Sequence, residues 1–211
     1  NDKNIIALRG TQSIYEWLMD ALCIQAPIPL PWLESTSEDT HKKLKLAKAH
    51  LGFLTIYAFL NDQIIYATKK FANPKTCYVT GHSLGGALSV LAALFLRINV
   101  FLLHPNTIQM YSYAGPRVGD STFADAYNFL VPHSYRVVNL ADLVPMVPPA
   151  QIGNYTYEHI GASNQEWSYL NQTGDIGNNH DLEKDYLQAL QFKPPVVTNA
   201  PRTYPVSGLP R

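Results

Sequence analysis

The sequence predicts an α/β fold in which helices cover a mostly parallel sheet. Three observations carry that expectation. Apolar runs alternate along the chain between a strand-like and a helix-like period, with no internal repeat. One strand-like run, residues 76–80, passes through a glycine-rich turn straight into a strongly helix-forming, almost wholly apolar run. Two further strand-like runs follow, and each ends in a loop that carries an acidic residue, Asp120 in one case and Asp142 in the other.

Taken in order, residues 5–8 read as a buried strand ended by Arg9-Gly10, and residues 13–22 as a short helix. The stretch 24–33 contains Pro27, Pro29 and Pro31. Prolines at alternate positions remove backbone donors and fix φ, so no regular element is expected there. Phe53, Tyr57, Leu60, Ile64, Ala67 and Phe71 recur at intervals of 4, 3, 4, 3 and 4, which draws one apolar stripe along an amphipathic helix. After the 76–80 strand, residues 81–86 form a tight turn and residues 87–97 a buried helix. Strands are expected at 108–113 and 135–140, and a last helix at about 181–190. The domain therefore runs over residues 1–193, and the prolines of 194–211 make an extended, peripheral tail.

Composition excludes several function classes. The chain has 211 residues, enough for one domain with a sizeable core, and 46% of them are hydrophobic against 15% charged. Sixteen basic residues balance sixteen acidic ones. No broad basic footprint for nucleic acid or an anionic membrane exists, and the longest apolar run, 87–96, is too short to span a bilayer. Two cysteines, Cys23 and Cys77, allow either one bridge or two thiols. Asn154-Tyr155-Thr156 and Asn171-Gln172-Thr173 are glycosylation sequons, which matter only in a secreted eukaryotic protein. Compartment stays open, with secretion the leaning. The polar start, without Met or an apolar leader, reads as a processed or excised chain.

The chemistry centres on Gly81-His82-Ser83-Leu84-Gly85, a G-x-S-x-G pattern. Its glycines let a strained strand-to-helix turn lift a serine hydroxyl above the sheet, and the strand before and helix after it are what that mechanism requires. A serine hydroxyl needs a histidine to take its proton, and the histidine needs a carboxylate to fix its tautomer. Downstream stand His104, His133, His159 and His180. His104 precedes every candidate acid and His133 precedes Asp142, whereas the chain order wanted here is serine, acid, histidine. His180, in a polar loop before the last helix, is preferred over His159, which looks strand-borne and fit for a structural hydrogen bond. For the acid, Asp142 in its proline-bounded apolar loop is preferred over Asp120, and Asp125 falls inside a helix. His82 points the wrong way to be the base and reads as packing behind the site, and His50 likewise looks structural.

Six motifs occur in one order: Leu8-Arg9-Gly10-Thr11, Ala49-His50-Leu51-Gly52-Phe53, Gly81-His82-Ser83-Leu84-Gly85-Gly86, Ala114-Gly115-Pro116-Arg117-Val118-Gly119, the run from Asn139 to Pro145, and His180. From about Leu8 to Tyr186 the chain thereby resembles the class 3 lipases, the fungal-lipase-like family of α/β-hydrolases. The resemblance implies an α/β-hydrolase fold, a mostly parallel central sheet with helices on both faces. It implies Ser83 as nucleophile, Asp142 as acid and His180 as base, with Thr11 and the N–H of Leu84 holding the oxyanion. A strand end beside the elbow can supply such a donor on physical grounds too. Two departures stand out. Only seven residues precede Leu8, where family members carry further strands and a helix, so a sheet edge is expected to be missing or supplied otherwise; and Leu8 replaces a frequent Phe.

The reading is a carboxylic ester hydrolase, a triacylglycerol lipase working through an acyl-serine with no cofactor and no metal. A feruloyl or short-acyl esterase of the same family is the alternative. So is a catalytically silent lipase-like interaction module, which would have no need to keep all three of Ser83, Asp142 and His180. The expected partner is an acyl-ester lipid, with transient contact at a lipid–water interface. Ile28, Leu30, Trp32 and Leu33 form an apolar segment where such lipases carry a lid, against the plainer reading of a packed loop.

Overall fold

The computed structural model describes residues 3–11, 23–33, 38–71, 76–101, 108–161, 165–192 and 196–197. Its frame is a six-stranded sheet, built from β1 (Lys3–Leu8), β4 (Thr76–His82), β5 (Ile108–Tyr113), β6 (Ser134–Asn139), β9 (Glu166–Tyr169) and β10 (Val196–Val197) in that spatial order. Every neighbouring pair is parallel except the last. Two small antiparallel pairs lie outside it, β2 (Gln25–Pro27) with β3 (Lys48–His50), and β7 (Gln151–Ile152) with β8 (Tyr155–Thr156).

The helices are α1 (Glu38–Leu46), α2 (Leu51–Phe71), α3 (Leu84–Asn99), α4 (Ser121–Leu130), α5 (Ile176–His180) and α6 (Leu187–Phe192). A π-helical turn, Leu182–Tyr186, joins the last two. One sheet face, with Cys77, Val79, Ile108 and Met110, meets α2, α3 and α4 in the main core. The other face, with Val137 and Tyr169, is covered by Tyr186 of the π-turn and Ala189 of α6. Helices therefore flank the sheet on both sides.

Helix α3 shows why the sheet and its helices hold together. Almost every residue of it is buried, including Leu88, Leu91, Leu94 and Phe95. A helix apolar all round belongs inside, and each such side chain contributes about 1.5–3 kcal/mol of burial. Arg97 ends it usefully, donating from Nε to the Leu130 carbonyl and from Nη1 to that of Phe101.

Three expectations are corrected. β1 is an edge strand with Ile5 71% exposed, because only β4 pairs with it among the described residues. The stripe on α2 holds through Phe53 and Tyr57, but Ala67 is exposed and Thr68 is buried in its place, its hydroxyl donating to the Ile64 carbonyl. The proline-rich stretch is not irregular: it makes β2 and a 3-10 turn, Leu30–Leu33. Proline suits both, since an outward-facing edge position and the first turn of a helix need no N–H from it. Of the tail, residues 196–197 are described, and they form β10 at the edge of the sheet. The helix expected at 13–22, His104 and residues 198–211 lie outside the described residues.

Candidate active site

The elbow is a steric construction. Strand β4 runs through His82, Ser83 alone makes the turn at φ 63°, and α3 starts at Leu84. A serine before a helix ordinarily caps it, but this backbone conformation turns the hydroxyl away and no side-chain cap bond forms. A non-glycine residue in that region costs about 1–3 kcal/mol, which the surroundings must overcome. They do so by close packing. A Cβ on Gly81 would sit 2.1 Å from the Gly85 oxygen, and one on Gly85 2.1 Å from the Leu8 carbonyl. Only glycine fits at either place. The Ser83 N–H is fixed as well, donating to Tyr113 O at 2.9 Å.

The same packing places the oxyanion candidates. Leu8 pairs with Gly81, so the chain leaving β1 passes directly beside the elbow. A Cβ on Gly10 would meet the His82 carbonyl at 2.6 Å and the Ser83 Cβ at 3.2 Å. Thr11 is the next residue, half-buried. Leu84 is the first residue of α3, so its N–H lies at the positive end of a 16-residue helix.

His180 ends α5, beyond the carboxyl end of β9, and Asp142 follows β6. Both are buried, Asp142 at 1% exposed. His180 Nε2 is 2.8 Å from Ser83 Oγ, and His180 Nδ1 is 2.8 Å from Asp142 Oδ2. A carboxylate can only accept, so the proton sits on Nδ1 and Nε2 is left to accept from the serine hydroxyl. Asp142 Oδ1 accepts from the Val144 N–H at 2.9 Å. Asp142 Oδ2 also accepts from the Tyr186 hydroxyl at 2.7 Å. Such a chain can take a proton from the hydroxyl and carry the resulting imidazolium charge.

The competing residues serve elsewhere. Asp120 caps α4, accepting from the Phe123 N–H at 2.7 Å. Asp125 is exposed on α4. His159 hydrogen-bonds the Pro145 carbonyl at 2.7 Å and so braces the loop behind Asp142. Arg117 grips the same loop from its other end, donating from Nη1 to the carbonyls of Met146 and Pro148. His82 lies against His180, ring centroids 4.6 Å apart, with its Nε2 buried and, among the described residues, without a hydrogen-bond partner. Burial first, and the neighbouring His180 second, push its pKa down to about 4. A neutral imidazole there adds no charge against an imidazolium at His180. His50 is buried too, its Nδ1 accepting from the Gly52 N–H at 3.1 Å, and burial pushes its pKa down to about 4.

The lid expectation is corrected. Ile28 and Leu33 belong to the main core at 2% and 0% exposed, and Trp32 packs on Tyr57 and Phe95 with ring centroids 5.8 and 4.8 Å apart. Phe95 stands 12 residues along α3 from Ser83. That is ~18 Å at the helical rise, so the segment closes the far end of α3 rather than covering the serine. Leu30 alone of the four is exposed. Apolar character reads the same for a cover and for a core.

Reasoning from sequence missed Tyr186, Asn139, Asn179 and Asp185, which tie the acid to the base. Their only signal was a buried-looking polar residue three positions before Asp142 and an Asn pair before His180. Among the described residues no group of three or more His, Cys, Asp or Glu could hold a metal, neither Cys23 nor Cys77 forms a disulfide, and no helix is long and apolar enough to cross a membrane.

Known proteins resemble this chain in sequence and in fold. The chain is 33% identical over 153 residues to a lipase of Rhizomucor miehei, covering 70% of this chain and 38% of that protein. It is 37% identical over 113 residues to secreted mono- and diacylglycerol lipase 1 of Fusarium solani, covering 52% of this chain and 32% of that one. The Rhizomucor miehei lipase in its propeptide complex superposes with a TM-score of 0.63 at 29% identity, over 82% of this chain and 50% of that chain. The chain thus spans a third to a half of the length of these relatives. The fold is that of the α/β-hydrolases. A family model described as lipase (class 3) matches residues 5–152, the stretch that carries the elbow and the acid, and the chain belongs to the class 3 lipase family.

Proposed function

We propose that the chain is a carboxylic ester hydrolase, a triacylglycerol lipase in which Ser83 is the nucleophile, His180 the base and Asp142 the acid. The observation that supports it best is the unbroken hydrogen-bond chain from Ser83 Oγ through His180 to Asp142, set on a strained elbow. In acylation, Nε2 takes the hydroxyl proton as Oγ attacks the ester carbonyl carbon. The carbonyl oxygen becomes an oxyanion facing the N–H groups of Thr11 and Leu84 and the Thr11 hydroxyl. The tetrahedral species collapses as Nε2–H gives its proton to the leaving alcohol oxygen. Water then repeats the sequence on the acyl-serine, its proton going to Nε2 and back to Ser83 Oγ as the fatty acid departs.

The substrate class is inferred from what the relatives are called, and acylglycerols are the first choice. Contact with a lipid–water interface belongs to the same proposal. Leu140 and Leu143 beside Asp142, and Leu170 and Ile176 on the approach to His180, are large apolar side chains exposed at the carboxyl end of the sheet. Secretion fits the Fusarium solani relative's name and Asn154, exposed at the tip of the β7–β8 hairpin within its sequon.

The test is hydrolysis of p-nitrophenyl esters from two to sixteen carbons, below and above each solubility limit, by wild type and Ser83→Ala. Hydrolysis is expected from the wild type, with longer acyl chains favoured above the limit. Ser83→Ala should stay folded and lose about a millionfold in turnover, the scale for a triad serine in an unrelated hydrolase. A folded Ser83→Ala protein keeping more than a few per cent of the rate overturns the assignment.

A further inference from the structure

We propose that Asn139 is a positioning residue, a single buried carboxamide that locks the acid's turn and the base's loop to one another, with the Asp185 carboxylate as its anchor. The inference rests on the roles given above to Ser83, His180 and Asp142.

Asn139 is the last residue of β6, 0% exposed, and three positions before Asp142. Its Oδ1 accepts from the N–H of Ala141 at 3.1 Å, inside the acid's turn, and from that of Asn171 at 3.0 Å, on the approach to the base. Its Nδ2 reaches the carbonyls of Asn171 at 2.8 Å and Asn179 at 3.2 Å, and Asp185 Oδ2 at 2.8 Å. The Asn179 carbonyl belongs to the peptide that leads into His180. The stitch is reciprocal, since Asn179 Nδ2 donates back across the gap to the Ala141 carbonyl at 3.3 Å. The main chain of Asn139 adds to it. Its carbonyl accepts from the Asp142 N–H at 3.0 Å, and its N–H donates at 3.1 Å to the Tyr186 hydroxyl that holds Asp142 Oδ2.

Asp185 explains why the carboxamide stays put. It is 1% exposed and, among the described residues, makes no ion pair, yet it accepts from Asn139, from the Tyr169 hydroxyl at 2.8 Å and from Asn171 Nδ2 at 2.5 Å. A buried carboxylate persists only where donors surround it, and here two of the three donors are the residues joining the catalytic loops. Acid and base lie 38 residues apart. The pairing of β6 with β9 ends at Asn139 and Tyr169, and beyond it, among the described residues, this network joins the acid's turn to the base's loop.

The experiment compares Asn139→Asp, the exchanged pair Asn139→Asp/Asp185→Asn, and Leu44→Ala, a core variant remote from the site, as a stability control. Turnover on a soluble short ester is expressed per site labelled to completion by an organophosphonate. Asn139→Asp sets two carboxylates together and turns an acceptor toward the Asn179 carbonyl. It should lower kcat roughly 10- to 100-fold, the scale of a small misplacement, and leave KM within about twofold. The exchanged pair again has one carboxylate and one amide, so it should regain most of the lost Tm but not the turnover, because Asn179 still lacks its donor. Leu44→Ala should lose Tm with kcat per site unchanged. If turnover returns with Tm in the exchanged pair, or if a folded Asn139→Asp protein keeps its kcat, Asn139 is structural and the proposal fails. Should Asn139→Asp not fold, the exchanged pair alone decides. A wild type with no labelled serine overturns this proposal together with the active-site reading, whereas a labelled wild type with indifferent variants overturns this one alone.

Discussion

The elbow and the acid–base end of the site solve one problem, holding a reactive group still, by opposite means. At the elbow six consecutive residues and the passing β1 strand define the geometry by contact: Gly81 and Gly85 leave no room for a side chain, and Ser83 is left at φ 63°. At the other end Asp142 and His180 come from segments 38 residues apart and are set by directed hydrogen bonds among Asn139, Asn179, Asp185 and Tyr186. Steric placement is local and tolerates no added atom. Polar placement is long-range and fails when one partner is withdrawn, since the buried groups it served are then left unsatisfied.

Withdrawing the acceptor at the acid should therefore have the largest effect on rate short of removing Ser83 or His180. Asp142→Asn keeps the shape, but its amide stabilises the wrong imidazole tautomer, and kcat should fall on the order of 10⁴-fold in a folded protein. Asp120→Asn, at a helix cap, should change kcat by less than a few-fold and cost Tm instead. Steady-state kinetics on a soluble ester separates the two, and the reverse pattern moves the acid to Asp120.

The elbow side predicts a smaller loss. Thr11→Val removes the hydroxyl proposed for the oxyanion and keeps both shape and backbone N–H. Turnover should drop about 10²- to 10³-fold with KM little changed. A change confined to KM would make Thr11 a ground-state contact and leave Leu84 as the donor.

The smallest expected effect concerns stability. The buried imidazoles of His50 and His82 have pKa values pushed down to about 4 by burial, below the ordinary value of 6.5. Protonation is thus easier in the unfolded chain. Their contribution is fully present above about pH 6.5 and is lost as pH falls from there toward 4. For His50 the loss approaches about 3 kcal/mol at the end of that window. Thermal melts between pH 7 and pH 5 should show Tm falling, with a shallower fall in His50→Gln, even if that variant starts lower. An equal slope in both proteins would show that the imidazole takes up its proton in the folded state without penalty.

The contrast between the two ends also explains what could be read from sequence. The elbow was legible because its requirement is local: glycine, serine and glycine at fixed spacing between a strand and a helix. Asp142 and His180 were reachable through chain order and loop character, which also set aside Asp120 and His159. Tyr186, Asn139 and Asp185 were not, because a buried Asn or Tyr bonded to a residue 44 or 46 positions away leaves no periodic trace. Trp32 and Leu33 went astray for a related reason. Whether an apolar segment covers the serine or fills the core depends on which end of α3 it meets, and that is decided by the pairing of β2 with β3. Ile5 misled because an apolar strand at a sheet edge looks the same in one dimension as a central one.

The most direct test of the central claim is to identify the residue that an organophosphonate ester modifies, by peptide mass mapping of the wild-type protein and of His180→Ala. The account predicts one adduct per chain, on Ser83 and on no other serine, formed orders of magnitude more slowly in His180→Ala because Nε2 is no longer there to take the hydroxyl proton. An adduct on a different serine, or equal labelling rates in the two proteins, would contradict it.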